Sequence, residues 1–291
     1  LNPFGLPAEF CIMALSMFHA STAFVAPQLS VGGASLNVRM ETTADLEVLA
    51  KKLNPTIGFY DPLGLVKSGV KREEESTTIG WLRHAEIKHG RVAMAAFVGF
   101  IVQSNGICFP WALTGGEGGV SFSDIAAAGG PKDQWDALPT AAKVQILMFI
   151  GFLEFYGELT GRDYLPGSEK HYVYGGKPGA YPSFGPLKAS IGHPLFDLFD
   201  PFGFSKNKTP EQKERGLLIE LNNGRAAQLG IFAFISASKG LMVPGFDSIA
   251  GIKPYAGEYM APFVASDSSL PFVTDMLANG IKVGNLVPDL Y

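Results

Sequence analysis

Two stretches of this chain read alike. Glu86-Ile87-Lys88-His89-Gly90-Arg91 and Glu220-Leu221-Asn222-Asn223-Gly224-Arg225 are both E-x-x-[H/N]-G-R. Each runs into a long apolar segment, residues 92–100 after the first and 226–235 after the second. Glu and Arg five positions apart do not meet on one helix, where neighbours on a face are three or four apart. A charge lodged in apolar surroundings is costly without a partner. The repeat is therefore satisfied by two helices that cross as a pseudo-twofold couple, with Glu86 meeting Arg225 and Glu220 meeting Arg91. Small residues would let such helices approach closely: Gly90, Ala93, Ala95 and Ala96 on one, Gly224, Ala226, Ala227 and Gly230 on the other.

The copies extend upstream. Asp61-Pro62-Leu63-Gly64-Leu65 precedes the first motif and Asp200-Pro201-Phe202-Gly203-Phe204 the second. Pro and Gly suit helix-leading turns in any fold, so the weight lies on turn and helix motif being duplicated together. Thr209-Pro210-Glu211-Gln212 supplies an N-cap, a Pro at the first helical position and a capping-box Gln. Gly240 and Pro244 mark the far end of that helix, and Pro139-Thr140 opens a middle one.

Composition bears on where these helices sit. The 291 residues are 47% hydrophobic and 17% charged, against about 25% charged in average soluble domains. Residues 92–116 carry no charge, which meets the roughly 20 residues needed to span about 30 Å of hydrocarbon. The middle segment, 140–160, and the last, 209–240, have shorter charge-free runs that hydropathy alone would assign to buried helices of a soluble protein. With the repeat, the expected fold is an all-α membrane protein of three transmembrane helices. The first and third form the crossed, ion-paired couple, and long loops, 115–138 and 163–202, wrap around them. A net charge of −4 leaves no basic footprint for nucleic acid. The two cysteines, Cys11 and Cys108, make no framework.

In each motif a potential metal ligand follows the Glu by three residues, His89 after Glu86 and Asn223 after Glu220. Each paired carboxylate also keeps an oxygen. A tetrahedral zinc site needs several converging ligands. Single N/O donors along a helix instead suit a metal already held in a macrocycle and lacking an axial ligand. Magnesium fits such a donor set. No H-E-x-x-H, P-loop or triad-like constellation is present, so an enzyme is not expected.

The paired E-x-x-[H/N]-G-R helices, the D-P-L-G-L turn and a middle helix carrying Gly151-Phe152-Leu153-Glu154 resemble the light-harvesting chlorophyll-binding family of thylakoids. Residues 255–263 are similar to the tail of its chlorophyll a/c (fucoxanthin- or peridinin-type) antenna branch. The resemblance implies axial chlorophyll ligands at Glu86, His89, Gln103, Gln145, Glu154, Glu220 and Asn223, with Arg91 and Arg225 as ion-pair partners. It implies carotenoid end groups at the turns Asp61, Pro62, Leu63, Gly64 and Asp200, Pro201, Phe202, Gly203. Gly99 matches a position that ligates through its backbone carbonyl. At Ala237, where relatives carry a ligating side chain, this chain departs, with Ser236 or Ser238 as candidate helpers through water. His84, His171 and His193 read mainly as interfacial or loop histidines, and Lys143 and Arg162 as snorkelling charges.

The implied cofactors are chlorophyll a, chlorophyll c, carotenoids of fucoxanthin, peridinin or diadinoxanthin type, and lipids. The implied partners are photosystem I or II core subunits, other antenna proteins and the thylakoid membrane, with a multi-pass location in that membrane. Harvesting with excitation transfer and carotenoid photoprotection is the leading function. A stress-type quencher of the same family and a small membrane transporter using intramembrane charges are the alternatives. Residues 1–40 read as a signal-plus-transit presequence, with an apolar core at 10–18, small residues at 19–23 and Met13 as a candidate initiator. Residues 41–265 form the pigment-binding domain, and 266–291 a tail with a short surface helix near 272–277.

Overall fold

The computed structural model describes residues 42–66, 75–115, 119–159, 170–181, 184, 200, 202–246, 249 and 251–279, and the statements below concern these. The expected presequence, Pro201, Arg162 and His193 lie outside them.

The α-helices are α1 (Thr43–Leu53), α2 (Glu75–Ser104), α3 (Phe122–Ala127), α4 (Pro131–Asp136), α5 (Thr140–Leu159), α6 (Pro210–Ser238) and α7 (Val273–Asn279). Short 3₁₀ turns lie at Tyr172–Tyr174 and Ala265–Asp267. The expected helix start at Thr209 is present. Its hydroxyl accepts the Gln212 N–H, and Gln212 returns a bond to the Thr209 N–H. Helix α7 occupies the place expected for a short terminal helix.

Helices α2 and α6 cross at the glycines of the repeated motif. A Cβ added at Gly224 would lie 2.9 Å from the Gly90 Cα, and one at Gly90 3.0 Å from the Gly224 Cα. Both distances are below ordinary van der Waals contact, so the crossing depends on two bare Cα atoms facing each other. Further along, Phe97 and Phe100 stack on Phe234 with centroids 5.1 and 5.0 Å apart. Gly230 leaves room for Phe97, whose ring would lie 2.7 Å from an added Cβ. Helix α1 covers the other side of the crossing, where Leu53, Ile87 and Leu221 form one buried cluster.

Helix α5 stands away from this couple and is held mainly near its ends and through its polar groups. Near its start, Lys143 is fully buried, donating to the Asp267 carboxylate (2.7 Å) and the Asp136 carbonyl (3.0 Å). Lys143 is thus not the snorkelling charge expected from sequence, because the C-terminal segment folds over it. Burial raises Asp267, but bonds from Lys143, Thr140 and the Val264 N–H outweigh that and hold the carboxyl below its usual range. Near the end of α5, Glu158 accepts from Tyr172 Oη (2.9 Å) and pairs with His171 Nε2 (3.2 Å). Between these anchors, Met148, Phe149 and Phe155 are 62–70% exposed.

The expectation of three transmembrane helices, and with it the multi-pass thylakoid location, is corrected by the structure. Among the described residues no helix is long and apolar enough to cross a membrane. The uncharged run that begins at residue 92 leaves the helix after Ser104, where Gly106 turns the chain with φ 66°. At 1.5 Å per residue the charge-free helical part is about 20 Å long, short of the roughly 30 Å a span requires. The charge-free parts of α5 (144–153) and α6 (226–238) are about 15 and 20 Å on the same rule. Apolar length in sequence was counted across a helix end. The crossed, ion-paired couple itself is present.

Candidate ligand-binding site

The two cross-pairs form as the repeat demands. Arg91 Nε lies 2.6 Å from Glu220 Oε1, and Arg225 Nη2 lies 2.7 Å from Glu86 Oε1. The surroundings of the pairs differ. Glu86 Oε2 is also held by Arg83 Nη1 at 2.9 Å, so both its oxygens are engaged. Arg83 lies three residues before Glu86 on the same face, a spacing at which ion pairs form, and this signal was legible in the sequence but passed over. Glu220 has Leu217 at the matching position. On the cation side, Arg91 also donates to the Gly179 carbonyl (2.7 Å) and lies 4.3 Å over the Tyr181 ring, while Arg225 is 47% exposed.

His89 Nδ1 lies 2.8 Å from the Ala85 carbonyl. A carbonyl only accepts, so Nδ1 carries the proton and Nε2 keeps its lone pair, the tautomer of a metal-ligating imidazole. The Asn223 amide makes no hydrogen bond with the described residues. Glu154 on α5 pairs with Lys88 of α2. Sequence reasoning missed Lys88, whose direction toward α5 is a tertiary fact. Gln145 is exposed and about half a turn out of phase with Glu154 at 3.6 residues per turn, so those two donors face opposite ways. Gln103 sits near the end of α2, where Gln134 of α4 donates to its backbone carbonyl at 2.9 Å. A Cβ at Gly99 would meet nothing within 4 Å. Ser238 is buried and cannot serve at Ala237, because its hydroxyl bonds the Ile235 carbonyl and the Tyr259 hydroxyl.

In the two D-P-x-G turns, Asp61 accepts the N–H groups of Leu65 (2.9 Å) and Val66 (3.1 Å). Asp200 accepts those of Phe204 and Ser205, both at 2.6 Å. Gly64 and Gly203 take φ 60° and 75°, the left-handed region that glycine enters freely. Leu63 (77%) and Phe202 (81%) are left exposed at the tips.

A cavity of about 870 Å³ opens between α2, α5, α6 and residues 170–181, within the 300–1,000 Å³ common for ligand pockets. His89, Glu154, Val92, Ala96 and Phe232 line it. Residues 170–181 strap α2 to α5. The Tyr172 carbonyl lies against Gly80, where a Cβ would come within 2.5 Å. The Tyr172 ring stacks on His84 at 3.9 Å and 7°, and Gly179 N–H donates to His84 Nδ1 at 3.1 Å. Burial, with the neighbouring Lys88 charge, pushes the His84 imidazole down to about 4.

The family model for chlorophyll A-B binding proteins matches residues 46–239, a span that contains the crossed helices, the middle helix and the strap. The chain is 33% identical over 224 residues to fucoxanthin-chlorophyll a-c binding protein F, chloroplastic, of Phaeodactylum tricornutum, covering 76% of this chain and 91% of the relative. It is 32% identical to the fucoxanthin-chlorophyll a-c binding protein of Trieres chinensis, over 82% and 94%. A protein B of the same description from Macrocystis pyrifera is 33% identical over 62% and 66%. The chain therefore belongs to the chlorophyll a-b binding protein family, whose members are non-catalytic pigment-binding proteins.

Proposed function

We propose that this protein is an antenna of the chlorophyll a/c type. It holds chlorophylls a and c and carotenoids, and passes absorbed excitation to photosystem core subunits or neighbouring antenna proteins, with carotenoids protecting the chlorophylls. The observation that carries the reading is His89, whose Nδ1–H is tied to the Ala85 carbonyl so that Nε2 offers one lone pair on a cavity with apolar walls. That is one axial bond, the requirement of magnesium already held by a macrocycle, and no cluster of three or more His, Cys, Asp or Glu that could hold a bare metal occurs among the described residues.

Asn223 offers a second neutral donor. Glu220 and Glu154 offer ionised ones with charges offset by Arg91 and Lys88. Glu86 is the most constrained candidate, since a carboxylate with both oxygens bonded can still accept, but only through remaining lone pairs. Gln103 and Gln145 complete the proposed donor set. The exposed Leu63 and Phe202 on their Asp-capped turns suit carotenoid end groups, in the company of Asp61, Pro62, Gly64, Asp200, Pro201 and Gly203.

The protein's part is to hold dyes at fixed spacing in surroundings that tune them. The test is an absorption spectrum and pigment extraction of the purified native protein. Chlorophyll and carotenoid in fixed ratio to the chain are expected. A colourless, monodisperse native preparation overturns the reading.

A further inference from the structure

Two tyrosines of the strap, Tyr172 and Tyr181, line the cavity, and their surroundings differ. The Tyr172 ring stacks with two imidazoles, His84 at 3.9 Å and His171 at 4.2 Å between centroids. Hydrogen bonds keep both imidazoles neutral. His84 Nδ1 accepts the Gly179 N–H (3.1 Å) and His171 Nδ1 accepts the Val173 N–H (3.2 Å), and a ring nitrogen that accepts carries no proton. The phenolic O–H of Tyr172 donates to Glu158 Oε1 at 2.9 Å, and the His171 Nε2–H donates to Glu158 Oε2 at 3.2 Å. Burial raises Glu158, but the bonds from Tyr172 and His171 outweigh that and hold the carboxyl below its usual range. Tyr172 therefore has uncharged rings against its own and an ionised base on its hydroxyl. Tyr181 instead has the Arg91 guanidinium 4.3 Å over its ring, and a cation held there by the ring electrons opposes the loss of one of them. Loss of an electron turns a phenol into a strong acid, so oxidation is easiest where a base stands within hydrogen-bond reach of the O–H.

We propose that Tyr172 is a one-electron donor site that re-reduces a photo-oxidised tetrapyrrole in this cavity, with Glu158 taking the phenolic proton. For its oxidant the assignment rests on the antenna reading, and it extends that reading from holding pigments to repairing them. In the forward step one electron leaves the phenol for the oxidant, the O–H bond breaks, and the proton passes to Glu158 Oε1. The oxidant is reduced by one electron, and a neutral phenoxyl and a neutral Glu158 acid remain, so charge and protons balance. In the return step a water-borne reductant supplies one electron and Glu158 gives the proton back to the phenoxyl oxygen. Lys170 and Lys177 at the same opening favour an anionic reductant for that step. The stack and the hydrogen bond also anchor the strap, a role that a redox-inert ring and a neutral acceptor would fill as well.

The test is electron paramagnetic resonance of the pigmented full chain, illuminated with ferricyanide as electron acceptor and frozen, after the pigments per chain have been counted. A phenoxyl signal is expected from the parent chain and from Tyr181→Phe. It should be lost in Tyr172→Phe, which keeps the stacked ring. Glu158→Gln keeps an acceptor for the phenol but no base, so the signal should be lost while the pigment count stays that of the parent. Under steady light Tyr172→Phe should bleach faster than Tyr181→Phe. Absence of a phenoxyl from the parent chain, or its survival in Tyr172→Phe or Glu158→Gln, overturns the proposal. Equal bleaching of the two Phe variants also overturns it, because the site would then spare no pigment. A native chain that carries no pigment sinks the antenna reading instead. Tyr172 is then tested with photo-oxidised ruthenium tris-bipyridine, where a phenoxyl lost in Tyr172→Phe upholds the donor site and any other result overturns it.

Discussion

The two halves of the crossed couple share a motif and differ in what they touch. From α2, Lys88 reaches α5 and His84 and Arg91 reach the strap. The matching positions on α6 are Asn222, which donates to the Leu53 carbonyl of α1 at 3.4 Å, Leu218, which packs beside the α1 cluster, and Arg225, which faces outward. The α2 half therefore supplies charged groups to the cavity, while α6 gives it apolar wall at Ile231, Phe232 and Ile235 and packs Leu218 and Leu221 beside the short helix. The duplication supplies a symmetric scaffold, and the symmetry is broken near the crossing by what each half packs against.

The sharpest way to break this comparison is to remove the two arginines in turn. Arg91→Leu strands Glu220 and also releases the Gly179 carbonyl and Tyr181, so a loss of about 3 kcal/mol is expected, in the range for breaking a partly buried pair. Arg225→Leu leaves Glu86 with Arg83 and should cost about 1 kcal/mol. Thermal unfolding of the pigmented protein measures both, and equal losses would show that the halves are equivalent. Replacing both Glu220 and Arg91 by apolar residues should be milder than the sum of the single changes.

At the crossing itself the halves should agree. Gly90→Ala and Gly224→Ala each place a Cβ about 3 Å from the opposite backbone, and overpacking of that kind costs about 1–3 kcal/mol. Unfolding midpoints that differ widely between the two variants would mean that one helix yields and the other does not. In the turns, Asp61→Ala and Asp200→Ala each remove two backbone hydrogen bonds, so each should lower the unfolding midpoint. Carotenoid content after refolding reports whether the turn tips depend on them.

The smallest expected effect is a pH dependence confined to the α2 half. Burial, then Lys88, lowers His84 from its ordinary 6.5 to about 4. A histidine with a depressed folded value contributes stability that is present above pH 6.5 and is lost as the pH falls through about 4. Protonation would set an N–H against the Gly179 N–H, so amide exchange at Gly179 should rise over that window. His84→Asn, which keeps an acceptor but does not titrate, should flatten the response. Exchange around Leu218 on α6 should not change with it.

Much of the fold could be read in advance. The bounds of α5 and α6 and the capping box at Thr209 followed from Pro, Gly and capping residues, and the crossing with both cross-pairs followed from spacing, because helix periodicity dictates which charges cannot meet within one helix. The placing of His89 three residues after Glu86 on the same helix was legible for the same reason. The membrane-spanning reading failed on chain geometry, since an uncharged run counts toward a span only while it stays helical, and this one leaves the helix after Ser104. Lys143 was misread because nothing local announces that Asp267, far along the chain, folds back to cover it.

The sequence by itself determined that two helices must meet with their charges exchanged, because one short pattern occurs twice and neither copy can satisfy itself, whereas the meeting point at Gly90 and Gly224 is set by the packing. Only the tertiary structure decided that Glu86 is clamped by two arginines while Glu220 has one, and that Lys88 rather than Lys143 faces an acid on the cavity. It also decided that the strap brings His84, Lys170 and Lys177 to the same opening. Those choices depend on which distant segment packs against which helix face, and a contact of that kind leaves no periodic trace along the chain.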